Sequence, residues 1–232
     1  MTDGVKKVWV TRARPGADET ASRIEDLGFT PVVVPLLEAR ALGHDPIDLT
    51  GIGALAFTSA RGVEALATRT LVRDLPVFAV GAATAKAARD AGFTQVVAGD
   101  GDVEALADLI ARQGANAGTL LHAAAAQPAG DLVGDLTRRG LAARALAVYE
   151  TIETDPGGVL SHLPNLDAAL VHSPRAARAL AAFLADRPTP DMRLLALSPA
   201  VAQPLAALKC AGIAIAPFPN EPSLLKVLSK AG

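Results

Sequence analysis

Short apolar runs alternate along this chain with stretches whose apolar residues recur every three or four positions, the spacing of one helical face. The runs Val8–Val10, Pro31–Leu37, Ala54–Thr58, Val77–Gly81, Gln95–Ala98, Thr119–His122, Ala143–Tyr149, Ala168–His172, Leu194–Leu197 and Ile213–Ala216 predict strands. Helical patterns fill most of the gaps. The first, Gly16–Leu27, is closed by Gly28, where a glycine that can take a left-handed conformation belongs. Strand–helix alternation of this kind implies parallel sheets covered by helices on both faces. The expected class is α/β, doubly wound.

The pattern occurs twice. GALAFTSARGVEALA around Ser59 corresponds to LDAALVHSPRAARALAAFL around Ser173; each is an apolar run, a serine, an arginine two places on, then an Ala/Leu helix. PVFAVGAATAKAARDAGFTQVVA corresponds to LLALSPAVAQPLAALKCAGIAIA, and VWVTRARPGADETASRIEDLGFTPVVVPLLE to LLHAAAAQPAGDLVGDLTRRGLAARALAVYE. Gly28 then pairs with Gly140, Glu38 with Glu150 and Gly92 with Gly212. The expectation is two similar domains from an internal duplication, with a site between them. Two arrangements fit. The halves are sequential and divide near residue 115, or the first strand–helix–strand joins the last third and PLLEAR and AVYETI become paired connecting strands. The residues alone leave both open.

Half of the residues are hydrophobic and a fifth are charged, so 232 residues can build two cores. A formal net charge of −2 excludes a globally basic nucleic-acid binder. The single cysteine, Cys210, allows no internal disulfide. The first apolar run is too short for a signal-peptide core, and no stretch approaches the roughly 18 apolar residues of a membrane span. A cytoplasmic monomer is expected, with a small-molecule partner and neither nucleic acid nor membrane.

In α/β sheets ligands bind beyond the carboxyl ends of the strands, at helix N-termini. Thr11, Arg12 and Arg14 follow the first strand, Thr58, Ser59 and Arg61 the third, and Gly81 and Thr84 the fourth. Ser173 and Arg175, then Ser198, follow strands of the other half. Hydroxyl residues there cap helices, helix N–H groups attract anions, and arginines recognise carboxylates with two prongs. This array suits a ligand with scattered carboxylates or phosphates. GxGxxG, GxxxxGK[ST] and GxSxG are all missing, and His44, His122, His162 and His172 lack metal-ligand spacing, so no metal is expected. Asp100 and Asp102 read as turn and cap residues, and Trp9 as core. Tyr149, the only tyrosine, closes a strand, where a phenol can be a proton donor or a buried structural group.

Taken together and in order, VTRARPGADETASRIEDLGFTPVVVPLLEAR, FTSARGVEAL, PVFAVGAATAKAARDAGF, VYET and HSPRAARAL resemble uroporphyrinogen-III synthase. The resemblance implies two α/β domains joined by two hinge strands: residues 1–36 plus 152–232 form one domain, residues 37–151 with the hinge strands the other, and a cleft lies between them. It implies a cyclising hydro-lyase without cofactor, acting on hydroxymethylbilane, a linear tetrapyrrole with eight carboxylates. Loss of the terminal hydroxyl gives an azafulvene, the far ring attacks through its substituted carbon, and the spiro intermediate fragments and recloses with the last ring inverted. Tyr149 matches the family's favoured proton donor, and Thr58, Ser59, Arg61, Thr84 and Ser173 match polar positions lining the cleft. The chain departs from the pattern at Ala124 and Ala125, where relatives commonly carry an Arg-Gly turn, and at Ala200 and Val201, which leave Ser198 as the nearby hydroxyl. A two-domain sensor that binds a small anion without chemistry is the competing expectation.

Overall fold

The computed structural model describes residues 6–113 and 118–230. The chain forms two compact units, residues 1–38 with 152–232 and residues 39–151. Residue 115, where sequential halves would divide, lies outside the described residues.

The first unit carries a five-stranded parallel sheet. It is built from β1 (Lys7–Val10), β2 (Thr30–Val33), β9 (Ala168–Val171), β10 (Thr189–Ala196) and β11 (Cys210–Ile215), in the order β11-β10-β9-β1-β2. Alternation along β1 sends Trp9 to one face and Val8 and Val10 to the other, all fully buried. Trp9 packs with Val171, Leu180 and Leu194, where helix α6 (Pro174–Leu184) covers the sheet. Val8 and Val10 pack with Ile24 of α1 (Gly16–Asp26) and with Leu224 and Leu228 of α8 (Glu221–Lys230). Burial on both faces is why these strands read as continuous apolar runs.

The second unit has a six-stranded sheet. Its strands are β3 (Leu37–Ala41), β4 (Ile52–Phe57), β5 (Val77–Val80), β6 (Val96–Gly99), β7 (Thr119–Ala125) and β8 (Ala143–Glu153), in the order β3-β8-β7-β4-β5-β6. From β8 to β6 the pairs are parallel. Helices α2 (Ala60–Ala67) and α3 (Gly81–Asp90) lie on the face of Leu55, Phe57 and Leu121, and α4 (Val103–Gln113) and α5 (Leu132–Arg138) on that of Ala54, Ala56 and Leu120. The α/β class with parallel sheets and alternating helices is as expected.

Several boundaries differ from the sequence reading. Pro31–Leu37 is not one strand: β2 stops at Val33 and Leu37 opens β3. Pro35 offers no N–H to a ladder, and the carbonyls of residues 34–36 find other partners. Val34 O accepts from Trp9 Nε1 at 2.7 Å, Pro35 O from the Thr154 hydroxyl, and Leu36 O from Thr154 N at 3.1 Å. Gly81 is not the end of a strand but the first residue of α3, at φ 73°, a conformation that favours glycine. Three strands run longer than their apolar cores: β7 to Ala125, β8 to Glu153, and β10 from Thr189. The β10 register shifts between Thr189 and Arg193, around Pro190, which cannot donate.

Candidate functional site

In the second unit the strand order reverses beside β4. β5 and β6 lie on one side of it, β7 and β8 on the other. Such a switch point leaves a crevice at the carboxyl ends of the strands. A cavity of about 580 Å³ lies there. Its walls are Thr58 and Ser59 after β4, Val80 of β5, Ala125 of β7, and Tyr149 and Thr151 of β8. The first turn of α4, the 127–130 loop and the start of α5 complete it.

Local geometry explains each placement. Ser59 is extended, φ −157° and ψ 144°, and its Oγ accepts from Arg61 N at 3.1 Å, capping α2. Thr58 Oγ1 lies 3.2 Å from Nε2 of His122, a residue of β7 that is 2% exposed. Burial lowers the His122 pKa from 6.5 to about 4, so the ring is neutral at pH 7. Asp102 Oδ1 accepts from Glu104 N and Ala105 N, both at 3.0 Å, and Asp131 Oδ1 from Gly134 N at 2.9 Å. Two cavity carboxylates are therefore committed to helix starts, and Asp135 pairs with Arg138. None of the described residues lining the cavity is a lysine or arginine. Ala124 is buried and Ala125 lines the wall.

Tyr149 owes its position to an irregularity. Ala124 pairs with Ala147, yet Ala125 pairs with Tyr149, so β8 carries one extra residue at Val148. A bulge of this kind re-aims the side chain beside it. Val148 is buried in the Leu55/Phe57 core, and half-buried Tyr149 packs against that same core. The ring borders both the main cavity and a smaller one, about 230 Å³, lined by Ala39, Ala41, Arg61, Glu64, Ala65 and Thr68.

The remaining expected residues fall into two groups. Gly81 and Thr84 stand on α3; Thr84 is buried, and neither lines the main cavity. Arg61 lines the smaller cavity and pairs with Glu64 at 3.1 Å. Arg12, Arg14, Ser173, Arg175 and Ser198 belong to the first unit. Arg12 does not stand as an open anion site: it bonds Thr20 Oγ1 and Glu221 Oε1, each at 3.3 Å, and lies against Gly16. Arg14 pairs with Asp18. Ser173 caps α6, accepting from Ala176 N at 3.2 Å, and Arg175 stands in the first turn of that helix. Ser198 opens α7 (Pro199–Ala202) without a side-chain cap bond.

Two histidines escaped the sequence reading, which weighed histidine only as a metal ligand. One is His122. The other, His172, follows β9; both ring nitrogens are buried and make no hydrogen bond, and Nε2 lies 3.8 Å from Glu221 Oε1. Burial and the neighbouring Arg12 charge lower its pKa to about 4, against an opposing pull from Glu221. The readable signal was the position of both at the ends of apolar runs. Among the described residues, no three His, Cys, Asp or Glu side chains gather as metal ligands would, and no helix is long and apolar enough to cross a membrane.

No curated protein sequence matches the chain. The crystal structure of uroporphyrinogen-III synthetase from Helicobacter pylori superposes with a TM-score of 0.67 at 17% identity, covering 98% of this chain and 100% of that one. A mutant uroporphyrinogen III synthase from Thermus thermophilus superposes with a TM-score of 0.53 at 20% identity, covering 98% of each chain. At such identities the likeness is one of fold. The sequence itself matches the family of uroporphyrinogen-III synthase HemD over residues 18–226. With nearly its whole length inside that match, the chain belongs to the uroporphyrinogen-III synthase family.

Proposed function

We propose that the chain is a uroporphyrinogen-III synthase, a cyclising hydro-lyase that converts hydroxymethylbilane to the type III product through a spiro intermediate. The observation that carries this for the present chain is Tyr149: a family match over residues 18–226 coincides with a bulge that seats the only tyrosine at the switch-point cavity. The phenol donates its proton to the departing terminal hydroxyl. The resulting azafulvene is reactive without further help, so holding the chain curled accounts for most of the remaining work. The reaction uses no cofactor.

The cavity's charge defines which part of the substrate it takes. Asp102, Glu104, Asp131 and Asp135 ring it, and a substrate carboxylate would meet repulsion there. Pyrrole N–H groups are donors, and these carboxylates are acceptors, so the cavity holds rings rather than their acid side chains. Thr58 and Ser59 supply hydroxyls at the same wall. In the first unit, Ser173, Arg175 and Ser198 are the proposed contacts for substrate carboxylates. The enzyme is proposed to work as a cytoplasmic monomer; light scattering tests the monomer.

The test supplies hydroxymethylbilane freshly made by its own synthase and separates the type I and type III isomers after oxidation. Type III in excess of the enzyme-free control is expected. Type I alone, at the spontaneous rate and with folded protein, rejects the assignment.

A further inference from the structure

We propose that His122 is a positioning residue that fixes the Thr58 hydroxyl as a hydrogen-bond donor into the switch-point cavity, an inference that rests on the function proposed above. His122 stands on β7 opposite Ala56 of β4. By strand alternation it shares a face with Leu120 and Ala124, under α4 and α5. An imidazole buried among alanine and leucine side chains is costly unless its nitrogens are matched, and leucine would pack there without that cost. The polar neighbour that rationalises it is Thr58 Oγ1, 3.2 Å from Nε2. Thr58 lines the cavity; His122 does not. The histidine therefore acts on a ligand only through the threonine.

A neutral imidazole has one N–H, and a threonine hydroxyl has one proton, so two arrangements exist. If Nε2 accepts, Thr58 turns its only proton away from the cavity and presents lone pairs to it. Those lone pairs would only add to the acceptors that Asp102, Glu104, Asp131 and Asp135 already offer to pyrrole N–H groups, and would leave the departing hydroxyl oxygen beside Tyr149 facing one more acceptor. If Nε2–H donates, the Thr58 proton points into the cavity and binds an oxygen of the substrate. The walls are already rich in acceptors, whereas the hydroxyl oxygen that departs beside Tyr149 needs donors, and this favours the second arrangement. Because burial keeps the ring neutral at pH 7, the direction of the bond is fixed by the tautomer rather than by titration.

The experiment has a spectroscopic arm and a kinetic arm, both on the full chain. Long-range proton–nitrogen NMR reads the tautomer; the expected result is Nε2–H for His122, with its ring signals displaced in Thr58→Val. In the isomer assay, Thr58→Val and His122→Leu each raise KM roughly five- to tenfold, the worth of one hydrogen bond. kcat stays within about twofold, because the bond serves ground and transition states alike. The double variant is no worse than either single one. His122→Gln, whose side-chain amide can donate from near the place of Nε2, recovers most of the KM. Loss of structure would instead lower the melting temperature and the active fraction, and glutamine would not rescue it. An Nδ1–H tautomer, a wild-type KM in His122→Leu or Thr58→Val, or additive effects in the double variant overturn the proposal. If the wild-type chain gives only the type I isomer, the synthase assignment fails, and the ring-nitrogen spectra alone then decide between the two arrangements.

Discussion

At the scale of single residues, the sequence showed which groups stand at strand ends but not which of them were already occupied. Thr58 and Ser59 were legible because a strand-to-helix junction has a local signature. Arg12 was not, because its partner Glu221 lies 209 residues on and no local pattern announces such a pair. Arg12→Ala is therefore expected to lower the melting temperature, through the loss of its Thr20 and Glu221 bonds, while leaving KM unchanged. A rise in KM with unaltered stability would return Arg12 to the substrate contacts. Tyr149→Phe tests the opposite case. It removes the only phenol and keeps the ring against the Phe57 core, so packing survives. Loss of a general acid predicts kcat down about 100-fold with KM within a few-fold. Unchanged turnover in the isomer assay would remove Tyr149 from the chemistry.

Secondary-structure elements were legible wherever burial was symmetrical and blurred wherever it was not. The central runs Val8–Val10, Ala54–Thr58 and Ala168–His172 are buried on both faces over most of their length and match β1, β4 and β9 to within two residues at each end. The polar ends of β8 and β10 and the break at Pro35 were missed, because hydrogen bonding rather than hydrophobicity extends or ends a strand there. The β8 bulge at Val148, which aims Tyr149, is a matter of register between two strands and leaves no trace in one of them. Helix packing is equally hidden. α2 approaches β7 so closely that a Cβ at Gly62 would lie 2.5 Å from the Ala123 carbonyl oxygen. Gly62→Ala would gain helix propensity, yet overpacking against backbone should destabilise the second unit by about 1–3 kcal/mol. Urea unfolding checks this; a stabilised variant would mean that α2 can shift away from the sheet. Gly81→Ala differs in mechanism, since nothing lies within 4 Å of its Cβ and only the positive φ opposes the change. A loss of about 1 kcal/mol is expected.

For the whole molecule, each unit contains one histidine that its surroundings keep neutral well below the ordinary histidine pKa, His172 in the first and His122 in the second. Both have folded pKa values of about 4 against 6.5 unfolded. Between those values the unfolded chain binds more protons than the folded one, so stability rises with pH across that window. The stabilisation is complete above about pH 6.5 and is lost as pH falls toward 4. The exposed carboxylates Asp48 and Asp108, lowered by bonds from Thr50 and Arg139, act in a separate and more acidic window. A melting temperature that falls steadily from pH 7 to pH 4.5 is expected. His172→Leu should flatten that fall. It should also cost little at pH 7, because neither ring nitrogen of His172 has a hydrogen bond to lose. His122→Leu should flatten the remainder, but at some cost at pH 7, since Thr58 loses its partner. Two histidines with nearly the same pKa thus differ in what their removal does at neutral pH. If His172→Leu retains the full acid slope, the ring is already charged and bonded to Glu221 in the folded protein, and the first unit's acid sensitivity lies elsewhere.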